Sequence, residues 1–136
     1  MSDNLQIIYP TIQDIIEFNI LALDKIKTKK ADKSEVLSYL KVQEIIRNCE
    51  ETKGNIYAKA ANLMKDTIKK HAFASGNRRT AFIITKYFLT TNNIDFNIPD
   101  TAEYAKIMTG IRENYYTDEE IKNWIQHGTI REFKRH

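Results

Sequence analysis

Apolar residues recur at three- and four-residue spacing along most of this chain, which is the signature of amphipathic helices. The spacing predicts a first helix from about Ile12 to Lys27, followed by the polar connection Lys27-Thr-Lys-Lys-Ala-Asp-Lys33. A second helix is predicted from about Ser34 to Asn48, with Val36, Leu37, Leu40, Ile45 and Ile46 facing inward. The break Glu50-Glu-Thr-Lys-Gly54-Asn55 precedes a third helix from about Ile56, whose Tyr57, Ala60, Ala61, Met64 and Ile68 share one face. That helix delivers His71 at its end. A fourth helix, about Asn77 to Thr91, is apolar on nearly all sides and is therefore expected to be central. Ile94-Asp-Phe-Asn-Ile98 alternates as a strand would, but its brevity and Pro99 make it a connection. A fifth helix is expected from about Thr101 to Thr109, then a turn over Gly110 to Tyr116. A sixth spans about Asp118 to Gln126, with Ile121, Trp124 and Ile125 inward and Gly128 as its stop.

Helix starts are well marked. Thr11 with Asp14, Asp100 with Glu103, and Thr117 with Glu120 each place a capping residue three before an acid, as in a capping box. With Gly 4 and Pro 2 there is little punctuation for a β fold. The expected class is all-α: one compact bundle of about six helices forming a single domain over residues 1–136, its core about 5–126.

Cys49 is the one cysteine, so no internal disulfide is possible, and the polar start MSDNLQ is unlike a secretory leader. A cytoplasmic location is the expectation. The most apolar run, Ala81 to Leu89, is too short and too polar for a membrane span. His71, His127 and His136 with Cys49 show no metal-binding spacing. A net charge of +3 does not of itself call for nucleic acid. The positive charge is local. Lys65, Lys69, Lys70, Arg78 and Arg79 face only Asp66 between residues 65 and 79, and Arg131, Lys134 and Arg135 mark a basic tail over 128–136, read as a solvated, frayed terminus.

The chemistry concentrates in His71-Ala-Phe73-Ala-Ser75-Gly76-Asn77-Arg78-Arg79. A helix N-terminus presents unpaired N–H groups and partial positive charge, and a glycine there lets an anion approach the backbone. Histidine accepts a proton near neutral pH. Taken alone, His71 better suits a helix end satisfying its last carbonyls, whereas a solvated surface position for Arg79 is disfavoured by repulsion from Arg78 unless an anion is present.

The run resembles the signature of the Fic/Doc family, H-x-F-x-[D/E]-[G/A]-N-[G/K]-R, and Arg79-Thr80-Ala81 resembles its Doc (death-on-curing) toxin branch. The resemblance covers roughly Leu5 to Trp124. It implies that His71 is the general base, taking a proton from a target hydroxyl as that oxygen attacks phosphorus. Phe73 would anchor the loop, Gly76 and Asn77 would form the anion hole, and Arg79 would clamp phosphate. Where AMP-transferring relatives usually carry glycine, and Doc-like ones lysine, this chain has Arg78. That implies phosphoryl transfer from a nucleoside triphosphate, ATP first, with AMP transfer as the alternative.

Ser75 departs from the family, whose acid at this place holds Mg2+. A serine hydroxyl is a weak ligand for a hard cation. Magnesium would then be held by substrate phosphates, water and Ser75, or by another acid such as Asp66 or Glu51; otherwise the protein transfers poorly, acts on a less charged donor, or has lapsed into a partner-binding or nucleic-acid-binding protein. Lys53, Gly54, Asn55, Ile56, Tyr57 and Ala58 are expected to form a short target-docking flap that pairs with a peptide, although an interhelical turn fits their pattern as well. No self-inhibitory [S/T]-x-x-x-E-[G/N] motif stands in a suitable place, which implies an antitoxin chain. The implied target is a translation factor or another GTPase-like protein.

Overall fold

The structure, a computed structural model, describes residues 6–25 and 35–134. Six helices are formed among them: α1 (Ile12–Lys25), α2 (Tyr39–Glu51), α3 (Ile56–Lys69), α4 (Asn77–Thr91), α5 (Glu103–Arg112) and α6 (Asp118–His127). The all-α expectation holds. No helix among the described residues is long and apolar enough to cross a membrane. The end expected for the first helix, the Lys27–Lys33 connection, the expected start at Ser34, Leu5, Arg135 and His136 lie outside the described residues.

Two of the expected capping boxes are present. Thr11 and Asp14 exchange bonds of 2.9 and 3.1 Å at the start of α1, and Thr117 and Glu120 do the same at α6. The third is not. Helix α5 starts at Glu103 behind Ala102, with no side-chain cap, because the Asp100 carboxylate is taken by Arg79 at 3.3 Å. Helix α5 also runs through Gly110 to Arg112, where a turn was expected. Gly110 is tolerated there because it is needed there: a Cβ would stand 2.5 Å from the Tyr116 ring.

Helix α2 starts later than its pattern suggested. Before it, Val36 forms an isolated antiparallel bridge with Phe73, Leu37 bends, and Ser38 is the extended N-cap. Leu37 and Leu40 are consequently exposed, and the buried stripe of α2 is Val42, Ile45 and Cys49. Burial pushes the Cys49 thiol up to about 12, so it stays protonated.

Helices α3 and α4 share the centre. α4 packs on α1, α3 and α5, and α3 also meets α2 and α6. Ile84, Phe88 and Leu89 of α4 and Leu63 and Met64 of α3 have no exposed surface. Polar Thr80 and Thr85 are buried with them. The C-terminal segment is no frayed tail as far as Phe133. Arg131 pairs with Glu120, donates to Tyr115 O at 2.6 Å and lies 4.0 Å over the Tyr115 ring. Tyr115 meets Phe133 edge-on at 5.0 Å, and the Tyr116 hydroxyl donates to Arg131 O at 2.9 Å.

Candidate active site

Helix α3 ends at Lys69, Lys70 caps it, and His71 follows with φ 53. A left-handed conformation terminates helices well when the residue is glycine. For a residue with a Cβ it costs about 1–2 kcal/mol. The turn aims His71 away from its own helix. The ring is exposed, and its Nδ1 lies 3.4 Å from the Asn77 amide nitrogen at the first position of α4. His71 therefore does not spend its side chain on the carbonyls of α3.

The loop between α3 and α4 is braced from several sides. Asn77 donates to Phe73 O at 2.9 Å and accepts from Phe73 N–H at 3.3 Å. Phe73 itself is fully buried. On its outer side, Leu37 N–H donates to Ala72 O at 2.8 Å and Ala74 N–H to Glu35 O at 2.9 Å. On the inner side, Asn19 of α1 donates to Ser75 O at 2.9 Å and to the Thr80 hydroxyl at 3.0 Å. Asn19 escaped the sequence reading. Its signal was present: it is the polar member of a stripe formed by Ile12, Ile15, Ala22 and Leu23, and it is completely buried.

Gly76 caps α4 with φ 78 and supplies no side-chain cap. The N–H groups of Asn77, Arg78 and Arg79 consequently have no partner within the helix. A Cβ on Gly76 would lie 3.1 Å from Leu23 and 3.3 Å from Asn19, so the loop sits directly on α1. No acid stands in the first turn of α4. Instead Arg78 and Arg79 add positive charge where the helix dipole is already positive, an arrangement that an anion relieves.

The arginines are held on α5. Arg78 is exposed, and its Nη1 donates to the Thr109 hydroxyl at 2.7 Å. Arg79 is half-buried rather than solvated. Its Nη1 bonds Asp100 at 3.3 Å and the Tyr104 hydroxyl, and its Nε is buried without a partner. Burial works against its charge, but the bonds to Tyr104 and Asp100 outweigh that and raise its pKa.

The expected flap is not a free strand. Asn55 accepts from Ala58 N–H at 3.1 Å and caps α3, so Ile56, Tyr57 and Ala58 form the first helical turn. Lys53 and Gly54 are the turn before it. The backbone that pairs with the motif loop is residues 35–38.

The residues present do not build a protein cage for a divalent cation. Among the described residues no group of three or more His, Cys, Asp or Glu is suited to hold one. Asp66 takes the Asn48 amide at 3.0 Å and Glu51 is exposed at the end of α2; neither bonds a motif residue. Ser75 supplies a neutral hydroxyl. The N–H cradle at Gly76–Arg79, by contrast, fits a phosphate.

An exposed histidine thus stands 3.4 Å from the first residue of a largely buried helix whose N-terminus has no side-chain cap and carries two arginines. A family model described as Fic/DOC family matches residues 9–89, more than half of the chain. The chain belongs to the Fic/DOC family, whose members are generally transferases that modify proteins. No curated protein and no solved structure matches it.

Proposed function

We propose that the chain is a Doc-like toxin that moves a phosphoryl group from a nucleoside triphosphate, ATP first, to a hydroxyl on a protein target. The observation that carries this reading is His71, exposed and held at the mouth of the α4 N-terminus. The triphosphate would lie on the Gly76–Arg79 amides, with Arg79 as clamp. A ring nitrogen of His71 takes the hydroxyl proton while the oxygen forms its bond to the terminal phosphorus. The bond from that phosphorus to the bridging oxygen breaks, and the diphosphate leaves with the electron pair.

Arg78 supports phosphoryl over AMP transfer. A glycine at this place would have no side chain, whereas that of Arg78 is bulky, cationic and tied to Thr109. The target segment is best received along residues 35–38, whose backbone already pairs with the loop. We further place the protein in the cytoplasm, with a translation factor or GTPase-like protein as target and a separate antitoxin chain as inhibitor.

Ser75, with no acid beside it, favours a second reading, a lapsed site that binds a partner without turnover. Intact-mass analysis of candidate targets incubated with ATP and magnesium decides among these. A gain of one phosphate supports the proposal, a gain of AMP reverses the use made of Arg78, and no gain favours the lapsed site. Calorimetry with ATP then shows whether the nucleotide still binds, and whether magnesium matters.

A further inference from the structure

We propose that Asn19, on a helix remote in sequence from the motif, is the positioning residue that aims the Gly76 N–H at the bound phosphate. This rests on the phosphate-binding reading of the Gly76–Arg79 cradle.

The carbonyl of Ser75 and the N–H of Gly76 belong to one peptide unit. In a trans peptide the two point in opposite directions, and the chain contains no cis bond among its described residues. Fixing one therefore fixes the other. Asn19 fixes the carbonyl: its amide donates to Ser75 O at 2.9 Å from a position with no solvent exposure beneath the loop. The Gly76 N–H must then face away from α1, outward, and it meets no acceptor among the described residues.

The anchor is itself anchored. The same Asn19 amide donates to the Thr80 hydroxyl at 3.0 Å, one turn into α4. Thr80 N–H in turn bonds Gly76 O at 2.8 Å. Asn19 thus ties the last peptide of the loop to the first turn of the helix, so that the Gly76 donor and the donors of Asn77, Arg78 and Arg79 keep a common aim. Gly76 has φ 78, a region where glycine is free to rotate its peptide. Without a clamp on the preceding carbonyl, that freedom would let the N–H turn away.

The test follows the Gly76 amide by nitrogen–proton NMR while ATP is added to the full chain. It compares the wild type with Asn19→Leu, which keeps the volume and loses both donors, with Asn19→Asp, which keeps the shape and turns donors into acceptors, and with Thr80→Val. In the wild type the Gly76 amide should shift strongly. In whichever Asn19 variant retains the native spectrum that shift should vanish, and ATP affinity should fall roughly tenfold or more, as loss of a hydrogen bond to a charged group implies. Thr80→Val keeps the Ser75 clamp. It should lower the melting temperature yet preserve the Gly76 shift, which separates positioning from mere stability. A Gly76 shift equal in wild type and Asn19 variants overturns the positioning role and leaves the proposed function standing. No shift at Gly76, Asn77, Arg78 or Arg79 in the wild type overturns both.

Discussion

Helices α4 and α6 begin from opposite choices. α6 opens on a complete capping box, with Asp118, Glu119 and Glu120 in its first turn against the positive end of the dipole. α4 opens on a left-handed glycine, without a side-chain cap, and puts Arg78 and Arg79 where acids would stabilise it. The contrast repeats in two glycines of nearly identical backbone angle. Gly128, φ 79, ends α6 and donates its N–H to Trp124 O at 2.7 Å. Gly76, φ 78, starts α4, and its donor faces outward. One region spends its groups on stability. The other leaves them unspent, and unspent donors beside an exposed histidine are what a phosphate site needs.

The sharpest way to break this contrast is His71→Gly. Glycine accepts the left-handed turn that histidine holds at φ 53, so the melting temperature should hold or rise. Transfer should nonetheless fall by about 10²- to 10⁴-fold, the usual range for a lost general base. Gly128→Ala is the mirror image. A Cβ there would stand 2.5 Å from Asn97 O, and the loss should reach about 2 kcal/mol or more by denaturant unfolding, with turnover per folded molecule unchanged. Gly76→Ala meets the flexible Leu23 side chain at 3.1 Å instead, so about 1–2 kcal/mol is expected, together with weaker ATP binding.

Smaller effects should separate the two helix starts. Thr117→Ala should cost about 1 kcal/mol and leave transfer intact. Arg78→Glu should stabilise α4 by about 0.3–1 kcal/mol while weakening ATP binding. The smallest effect is at the C-terminal clasp. Hydrogen bonds from Arg131, then from Thr117 N–H, hold the Glu120 carboxyl below its ordinary 4.5. A depressed acid contributes stability that is whole above its unfolded pKa and is lost as pH falls through the folded one. The melting temperature should therefore drop between roughly pH 5 and 3 in the wild type, and by less in Glu120→Gln.

What was legible in the sequence was what local chemistry decides. The starts at Thr11 and Thr117 and the span of α4 follow from residues within a few positions of one another. Where a distant group intervened, the local reading failed. Asp100 was a sound cap by pattern, but Arg79 recruits its carboxylate across the fold. Leu37 and Leu40 were sound core candidates until the backbone before α2 was drawn out to pair with Phe73. The resemblance implies a flap at Lys53–Ala58, where the local pattern fits an interhelical turn as well, and the Asn55 cap makes that break a helix start. The motif residues carried their own signature. Asn19, which holds them in register, did not, because a buried asparagine on an apolar stripe names no partner until the fold supplies one.

The most direct test of the central claim uses a candidate target and ATP labelled separately at its terminal and innermost phosphates. The wild type should transfer the terminal label, and His71→Gly, folded to the same degree, should transfer it about 10²- to 10⁴-fold more slowly. Transfer of the innermost label would contradict phosphoryl transfer, and equal labelling by both proteins would remove His71 from the chemistry.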